Sequence, residues 1–455
     1  MKLATRTNTI ALKPALSSID TIAIIVGLVV GASIFETPSV VAANASSGGM
    51  VMFTWGLGGV ISLIGALCYA ELATTYPHPG GTYFYLRQAF GNTVAFLFGW
   101  TRMSIIQTGS IALLAFVFGD YVSQLWQLGT YSSAIYAAIA IALTTGLNWL
   151  GINQSKSLQT LLAFTLVIGL IIISVIGIGT SLLPSATNAT SQAASDSQNS
   201  FTLSNSGLMM VFILLTYGGW NEAAYISAEV RNSGRNIVRA LVWSIGIISA
   251  LYLLLNWSLI QGLGLERMAD SPTVVADLMR LSIGEGGAVL VILLVAIATI
   301  CSINATVMTG ARTDYALGRD YAIFAFLRRG HKSSPTNALF FQGAIALLLV
   351  VIGSFTRQGF ETMVNYTAPA FWFFFLLSGI SLFLLRRRDP HLYRPFEVPF
   401  YPLTPLIFCG ICVYMLRASL LYTKWGGLFG VFVLLLGLPL LWMNKKLEGN
   451  HENSE

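Results

Sequence analysis

The chain has 455 residues, and only 10% of them are charged, whereas the charged share of an average soluble domain is about 25%. Apolar and aromatic residues make up 55%, and the mean hydropathy is +0.72. This composition excludes an ordinary soluble enzyme. The net charge of +6 does not indicate a nucleic-acid partner, because the cations are spread along the whole chain.

A helix that crosses a bilayer needs about 20 apolar residues, and runs of roughly this length follow one another along the chain. They cover residues 20–43, 50–70, 93–119, 131–150, 158–183, 207–228, 240–264, 287–309, 338–354, 363–385, 403–422 and 425–443. The strands of a membrane barrel would be only about ten residues long and would alternate in polarity. The sequence therefore predicts an all-α membrane protein with 12 transmembrane helices in a lipid bilayer.

Most of the 25 Lys and Arg residues fall into every second connection between these runs and into the two ends of the chain. Cytoplasmic loops carry an excess of Lys and Arg, whereas loops on the other side do not. We therefore expect both termini to be cytoplasmic. The expected location is the plasma (inner) membrane, which the chain crosses many times.

A polar connection at residues 184–206 separates the first five runs from the next five. Since five is an odd number, the two sets have opposite orientations, which is the topology of an inverted repeat. We expect a single integral membrane domain over residues 1–455. Its first repeat covers residues 18–183, its second repeat covers 207–388, and two additional C-terminal helices, 11 and 12, cover 402–444.

Small residues interrupt the first and sixth runs near their middle, at residues 31–33 (G-A-S) and 218–221 (G-G-W-N). Glycine costs a helix about 1 kcal/mol relative to alanine, although small residues in membrane helices also allow close packing. Glu36 and Glu222 lie beside these glycines, and polar groups at that depth need partners or water. The pattern predicts a five-plus-five repeat in which helices 1 and 6 are discontinuous.

The residues around both interruptions resemble signatures of the amino acid, polyamine and organocation (APC) transporter superfamily. V-G-A-S-I-F at residues 30–35 is similar to the family's G-S-G-I-F, and Y-G-G-W-N at residues 217–221 is similar to its sixth-helix motif. The blocks at residues 69–91 and 302–320 resemble the family's Y-x-E-L string and its G-R-D pattern. Within the superfamily, the chain most resembles the L-type amino acid transporter branch.

The resemblance implies a secondary active transporter (permease) of amino acids that works by alternating access around the two interruptions. The second half of helix 1 begins with free N–H groups, so we expect the amides of residues 32–34 to receive a substrate carboxylate. The resemblance places the substrate ammonium near the carbonyls of Val29, Leu215 and Gly218. The expected substrate-binding residues are Val29, Gly31, Ala32, Ser33, Ile34, Leu215, Gly218, Trp220 and Asn221.

Three residues depart from the family pattern. Ser33 stands in place of a glycine, Leu215 in place of an aromatic residue, and Leu166 where many relatives have a lysine that mimics a bound sodium ion. The coupling therefore does not follow from the resemblance, and a co-transported proton, a co-transported sodium ion and exchange stay open. The candidate coupling or gating residues are Glu36, Glu222, Ser302 and Asn304.

Two other functions compete with this one. An antiporter of cationic amino acids or polyamines is favoured if Glu36 faces the substrate, and a non-transporting membrane sensor or a channel is an alternative of another class. The sequence contains neither the phosphate-binding motif G-x-x-x-x-G-K-[ST] nor a metal-ligand spacing. We therefore expect no enzyme activity, no cofactor and no metal ion.

An inner gate of ion pairs is a further expectation, because Glu71 and Glu229 lie near predicted cytoplasmic helix ends. The candidate partners on the same side of the membrane are Arg87, Arg231, Arg235 and Arg312. The alternative is a set of solvated surface pairs, each of which contributes only about 0–1 kcal/mol.

Overall fold

A computed structural model describes residues 17–78, 80–150, 156–181, 203–227, 230–329, 335–356, 359–423 and 425–452. The regular secondary structure of these residues is helical, and no β-strand occurs among them. This confirms the all-α prediction for the described part of the chain. Three segments are 3₁₀ turns, namely Ala32–Phe35, Trp220–Glu222 and Ala322–Arg328, and Arg102–Ile106 is a π turn.

The α-helices follow one another with short connections. In chain order they are α1 (Ser18–Val29), α2 (Thr37–Asn44), α3 (Gly48–Thr75), α4 (Gly81–Phe90), α5 (Asn92–Thr101), α6 (Gln107–Ser123), α7 (Ser132–Trp149), α8 (Lys156–Ser181), α9 (Leu203–Thr216), α10 (Ala223–Ile226), α11 (Ser233–Leu263), α12 (Leu265–Asp270), α13 (Val274–Ile283), α14 (Glu285–Asp320), α15 (Thr336–Ser354), α16 (Gly359–Arg388), α17 (Leu403–Thr423) and α18 (Trp425–Glu452).

Nine helices within the described ranges are long and apolar enough to cross a bilayer. They are α3, the continuous rod of α5 and α6, α8, α11, α14, α15, α16, α17 and α18. The other three predicted spans coincide with α7, which has 18 residues, and with the interrupted segments that contain α1 and α9. The chain is therefore a multi-pass membrane protein, and the count of twelve spans stays a prediction.

Long apolar side chains cover much of the outside of the bundle. On α8 only 33% of the membrane-spanning stretch is buried, and Phe164, Ile172 and Val175 are each more than half exposed. Soluble monomers rarely expose apolar patches of this extent. These faces are suited to contact with lipid chains.

The longest helices hold the interrupted segments in the interior. α11 packs against α1, α3 and α8, while α14 packs against α6. The 3₁₀ segment Ala32–Phe35 contacts α6 and α14, and the 3₁₀ segment Trp220–Glu222 contacts α1 and α3. Both departures from α-helix therefore lie inside the bundle, where water cannot easily satisfy their backbone groups.

Candidate functional site

The helix that begins at Ser18 stops at Val29, and the next α-helix begins only at Thr37. Between them, the Gly31 N–H donates to the Val29 carbonyl at 2.7 Å, and the chain makes a 3₁₀ turn. Gly31 has φ −97° and ψ −167°, which is extended backbone open to any residue. A Cβ atom at Gly31 would lie 3.9 Å from the nearest carbonyl oxygens, of Leu28 and Val29. Gly31 thus provides open space and no special backbone angle.

A second departure from α-helix follows α9, which ends at Thr216. A turn at residues 217–219 leads into the 3₁₀ segment that begins at Trp220. Gly219 has φ +110°, in the left-handed region that a side chain disfavours. A Cβ atom at Gly219 would also approach the Leu28 carbonyl oxygen to 3.3 Å. Both the backbone angle and the close approach therefore require glycine at this position.

The two interruptions contact each other. The hydroxyl groups of Thr37 and Thr216 are hydrogen-bonded at 2.7 Å. The Tyr252 hydroxyl on α11 lies 2.9 Å from the Val29 carbonyl oxygen and 3.3 Å from the Thr216 carbonyl oxygen. One side chain thus reaches the last carbonyls of α1 and α9, which a helix end leaves without helical partners.

We expect Gly219→Ala to lower the free energy of unfolding by about 1–2 kcal/mol, because the left-handed conformation disfavours a Cβ atom. Gly56→Ala is the matched control, since a Cβ atom at Gly56 in α3 meets nothing within 4 Å. In a helix the control change is stabilising by up to about 1 kcal/mol. Thermal unfolding of the purified variants measures both effects, and equal shifts of the two melting temperatures would contradict the assignment.

A cavity of about 110 Å³, the central cavity, lies between α1, α8, α9 and α14. The predicted site residues that line it are Val29, Gly31, Ser33, Leu215, Gly218 and Ser302. Small residues such as Gly27, Ala163 and Ala298 form much of the remaining wall, together with Leu166. None of the described residues that line it is charged. The central cavity can therefore enclose a small neutral group next to both interruptions.

Four other predicted binding residues are buried but are not among the described residues that line the central cavity. They are Ala32, Ile34, Trp220 and Asn221. The Trp220 ring stacks on Phe375 with centroids 5.6 Å apart and meets Tyr69 edge-on at 5.3 Å. Trp220 thus packs the second interruption against α3 and α16.

Arg102 occupies the π turn between α5 and α6, and it pairs with Glu222 just after the second interruption. Two guanidinium nitrogens of Arg102 lie 3.4–3.5 Å from the Glu222 carboxylate, and one donates to the Tyr225 hydroxyl at 3.0 Å. The Asn221 amide also donates to Glu222, at 3.3 Å. Glu222 is therefore paired with a buried arginine and is not an isolated acid, although its own side chain is 27% exposed.

Asp314 on α14 is a further buried carboxylate of this region, with an exposed fraction of only 2%. Its nearest opposite charge is Arg102, whose Nε, like one Asp314 oxygen, has no hydrogen-bond partner within the described residues. The apolar run at 287–309 stops short of Asp314, whereas α14 continues to Asp320. The sequence does contain a signal for the burial of Asp314. Asn304, Val307 and Asp314 have the spacing of residues on one helix face, and all three are buried.

The two predicted coupling residues of α14 have different surroundings. Ser302 lines the central cavity, whereas the side-chain Oδ1 of Asn304 accepts a hydrogen bond from the Asn148 side-chain amide on α7 at 2.6 Å. Glu36 faces neither of them and lines a separate, larger cavity. The four candidate coupling residues therefore do not form one cluster.

The inner gate predicted around Glu71 has other partners than the arginines expected from the sequence. The two Glu71 carboxylate oxygens each accept a hydrogen bond from Arg386 at 2.6 Å, and one also accepts the Val398 N–H at 2.7 Å. Arg394 lies 3.7 Å away. Arg87, one of the predicted partners, pairs instead with Asp320 at 3.9 Å, and Glu229, the other predicted acid, lies outside the described residues.

His78 lies in the connection after α3. Burial and the nearby charge of Arg87 lower the pKa of His78. Its neutral Nδ1 accepts a hydrogen bond from the Gly80 N–H at 2.9 Å, and its ring stacks on Phe84. The side chain therefore shapes this connection.

Tyr252, like Arg102 and Asp314, is a residue of this region to which the sequence analysis assigned no role. The only available signal was a polar hydroxyl in the middle of the apolar run at 240–264. Polar groups in such runs need partners, but the sequence does not indicate which helix supplies them.

Comparison with known proteins identifies relatives along almost the whole chain. The family model described as "Amino acid permease" matches residues 16–441. The chain is 31% identical over 453 residues to "b(0,+)-type amino acid transporter 1" of Rattus norvegicus, with 96% of this chain and 88% of the relative covered. It is 27% identical over 440 residues to the "Cystine/glutamate transporter" of Homo sapiens, with coverage of 95% and 86%. It is 26% identical over 444 residues to "Serine/threonine exchanger SteT" of Bacillus subtilis (strain 168), with coverage of 96% and 98%.

Proposed function

The chain belongs to the amino acid permease family, and from this premise we propose that it is a secondary transporter of small neutral amino acids that works by alternating access. The central cavity carries this proposal. Its volume of about 110 Å³ and its uncharged described lining suit a zwitterion with a short side chain. Relatives and family are transporters, so the chain is not an enzyme.

We propose that the chain crosses the plasma membrane twelve times with both termini in the cytoplasm. Residues 18–183 and 207–388 would form the two inverted repeats, and residues 402–444 the two additional helices. Support comes from corresponding positions in the two halves, since α1 and α9 both end inside the bundle and are followed by 3₁₀ turns. In this topology they are the discontinuous helices 1 and 6.

The substrate carboxylate would bind at the start of the first 3₁₀ turn. A 3₁₀ segment leaves its first N–H groups, here those of Ala32 and Ser33, without partners inside the segment. The Ser33 side chain also supplies a hydroxyl at the cavity wall. Such N–H groups bind carboxylates favourably.

The substrate ammonium would bind the carbonyls of the second interruption. The Val29 carbonyl oxygen already accepts hydrogen bonds from the Gly31 N–H and the Tyr252 hydroxyl. The Leu215 carbonyl oxygen accepts one hydrogen bond, from the Gly218 N–H at 3.0 Å, so one of its two lone pairs stays available. We therefore assign the ammonium to the carbonyls of Leu215 and Gly218. An ammonium taken out of water needs such acceptors, because burying an unpaired charge is costly.

The position of Glu36 favours a neutral over a cationic substrate in the central cavity. The antiporter of cationic amino acids or polyamines requires Glu36 at the substrate, but Glu36 lines the other cavity. The coupling ion is a separate matter. A proton on Glu222, a sodium ion near Ser302 and exchange without an ion predict different dependences on imposed gradients.

The test is uptake of labelled amino acids by liposomes that contain the purified protein. Internal amino acid, a proton gradient and a sodium gradient are imposed separately. We expect saturable uptake of alanine, serine and threonine, with weaker competition by arginine and tryptophan. Uptake that does not saturate would indicate a channel, binding without uptake would indicate a sensor, and failure of every amino acid would remove the proposal.

Leu215→Ala should shift selectivity towards larger substrates, because it removes a side chain from the wall of the central cavity. We expect leucine and methionine to improve as competitors by at least about tenfold, the effect of one methylene in a hydrophobic pocket. Leu208→Ala on the same helix is the control, since Leu208 is 7% exposed and is not among the described residues of the cavity wall. Identical competition profiles for the two variants would contradict the assignment.

A further inference from the structure

A second cavity of about 510 Å³ opens at one end of the bundle, away from the central cavity. It lies among the starts of α2, α7 and α16 and the ends of α6, α12 and α15. Four carboxylates line it, those of Glu36, Asp120, Asp270 and Glu361, and we call it the acidic cavity. None of the described residues that line it is Lys, Arg or His. Its described wall therefore carries acidic groups without basic ones, which favours a cationic over an anionic ligand.

Glu36 is the innermost acid of this cavity. Its exposed fraction is only 8%, and one of its carboxylate oxygens has no hydrogen-bond partner within the described chain. The negative charges of Asp120 and Glu361 act on it across the cavity. A buried carboxylate without a partner is costly, and more so beside like charges. A bound cation would supply the missing partner.

The shape of the acidic cavity favours an extended organic cation over a metal ion. No group of three or more His, Cys, Asp or Glu side chains suited to a metal occurs in the described part of the chain. The carboxylates are instead spread around a volume within the range of about 300–1,000 Å³ that is typical of small-molecule sites. Phe116, Tyr131 and Phe360 provide apolar and aromatic wall between them.

We propose that the acidic cavity is a binding site for an alkyl cation that carries one or two ammonium or guanidinium groups. An amine or diamine without a carboxylate fits better than a cationic amino acid, because the acidic wall repels a ligand carboxylate. The aromatic rings pack on the alkyl chain and attract the cationic group. The four acids accept its charge-assisted hydrogen bonds.

A ligand on Glu36 would act directly on the central cavity. The Glu36 N–H donates to the Ser33 carbonyl at 3.2 Å, and Ser33 lines the central cavity. A ligand bound at Glu36 therefore influences the position of the Ser33 backbone in the wall of the central cavity. The site itself is a separate cavity, so the proposal holds whether or not the central cavity transports amino acids.

The test measures binding of labelled 1,5-diaminopentane to the purified full chain in lipid nanodiscs. We expect Glu361→Gln and Asp120→Asn each to raise the Kd by about tenfold, since each removes one charge-assisted hydrogen bond. Glu266→Gln is the matched control, because Glu266 is an exposed carboxylate of α12 that does not line the cavity. Arginine should compete more weakly than the diamine, and its uncharged analogue citrulline should not compete.

Several results would overturn the proposal. They are an unchanged Kd in both lining variants, displacement of the diamine by micromolar calcium, and competition by citrulline as strong as that by arginine. Melting temperatures show whether each variant is folded.

The outcome for this site is separable from the outcome for amino acid transport. Carboxylate-dependent diamine binding in a protein that takes up no amino acid would support this proposal and contradict the proposed function. Normal amino acid uptake by a protein that does not bind the diamine would support the proposed function and contradict this proposal.

Discussion

Arg102→Met should abolish uptake and lower the free energy of unfolding by up to about 3 kcal/mol, the lower end of the cost of removing one partner from a buried ion pair, because Glu222 is 27% exposed. The side chain of Arg102 is only 8% exposed, and its guanidinium pairs with Glu222. Without it, both Glu222 and the buried Asp314 lose their positive neighbour. We expect uptake to fail because the acids then repel each other directly after the second interruption.

Two further variants make this prediction specific. Arg87→Met is the control, because its side chain is 48% exposed and its pair with Asp320 is long, at 3.9 Å, so we expect a loss below about 1 kcal/mol. Combining Arg102→Met with Glu222→Gln should recover part of the lost stability, since the double variant leaves fewer unpaired charges. We expect Arg87→Met to have the highest melting temperature of the three, the double variant an intermediate one, and Arg102→Met the lowest. Equal melting temperatures for Arg102→Met and Arg87→Met would contradict the expected contribution of the Arg102–Glu222 pair to stability.

Glu71→Gln should be more destabilising, with a loss of about 3–5 kcal/mol in the free energy of unfolding. The Glu71 carboxylate accepts three short hydrogen bonds, two from Arg386 and one from the Val398 N–H. A glutamine amide offers one acceptor oxygen, and its NH₂ group would face donors. The change therefore leaves Arg386 unpaired and detaches the segment after α16 from α3.

Unfolding of this variant can be followed through the protein's own cysteines. Cys68 and Cys412 are buried free thiols, so a thiol-reactive fluorophore reports the opening of the bundle. Asp320→Asn is the control, because it also neutralises a carboxylate paired with an arginine, but at an exposed position. If Glu71→Gln and Asp320→Asn melted at the same temperature, Glu71 would have no structural role of this size.

The sequence predicted the helices well where apolar runs are long, because the cost of burying backbone in lipid forces such runs to be helical. α1 and α9 end just before the small residues at 31–33 and 218–221, while the assignment of these ends to two discontinuous spans stays a proposal. The sequence did not predict the backbone conformations of the two glycines, Gly31 and Gly219. Gly31 has an ordinary extended backbone, whereas Gly219 has a left-handed one, and composition alone does not distinguish them.

Partners distant in sequence could not be predicted. Arg102 and Glu222 are 120 residues apart, and Glu71 and Arg386 are 315 apart. The side of the membrane indicates which charges can meet, but only the packing of helices decides which of several arginines reaches a given carboxylate. The sequence could not show that the Val29 carbonyl oxygen already accepts two hydrogen bonds. Its second donor, the Tyr252 hydroxyl, lies on the distant helix α11.

The hydroxyl of Tyr252 has a consequence for motion. It has a single proton, yet it lies within reach of two acceptors, Val29 O at 2.9 Å and Thr216 O at 3.3 Å. If one broken helix tilts away from the other, that proton can follow only one of them. α11 would then keep this hydrogen bond to only one of the two helix ends, and its packing against α1 favours the Val29 carbonyl.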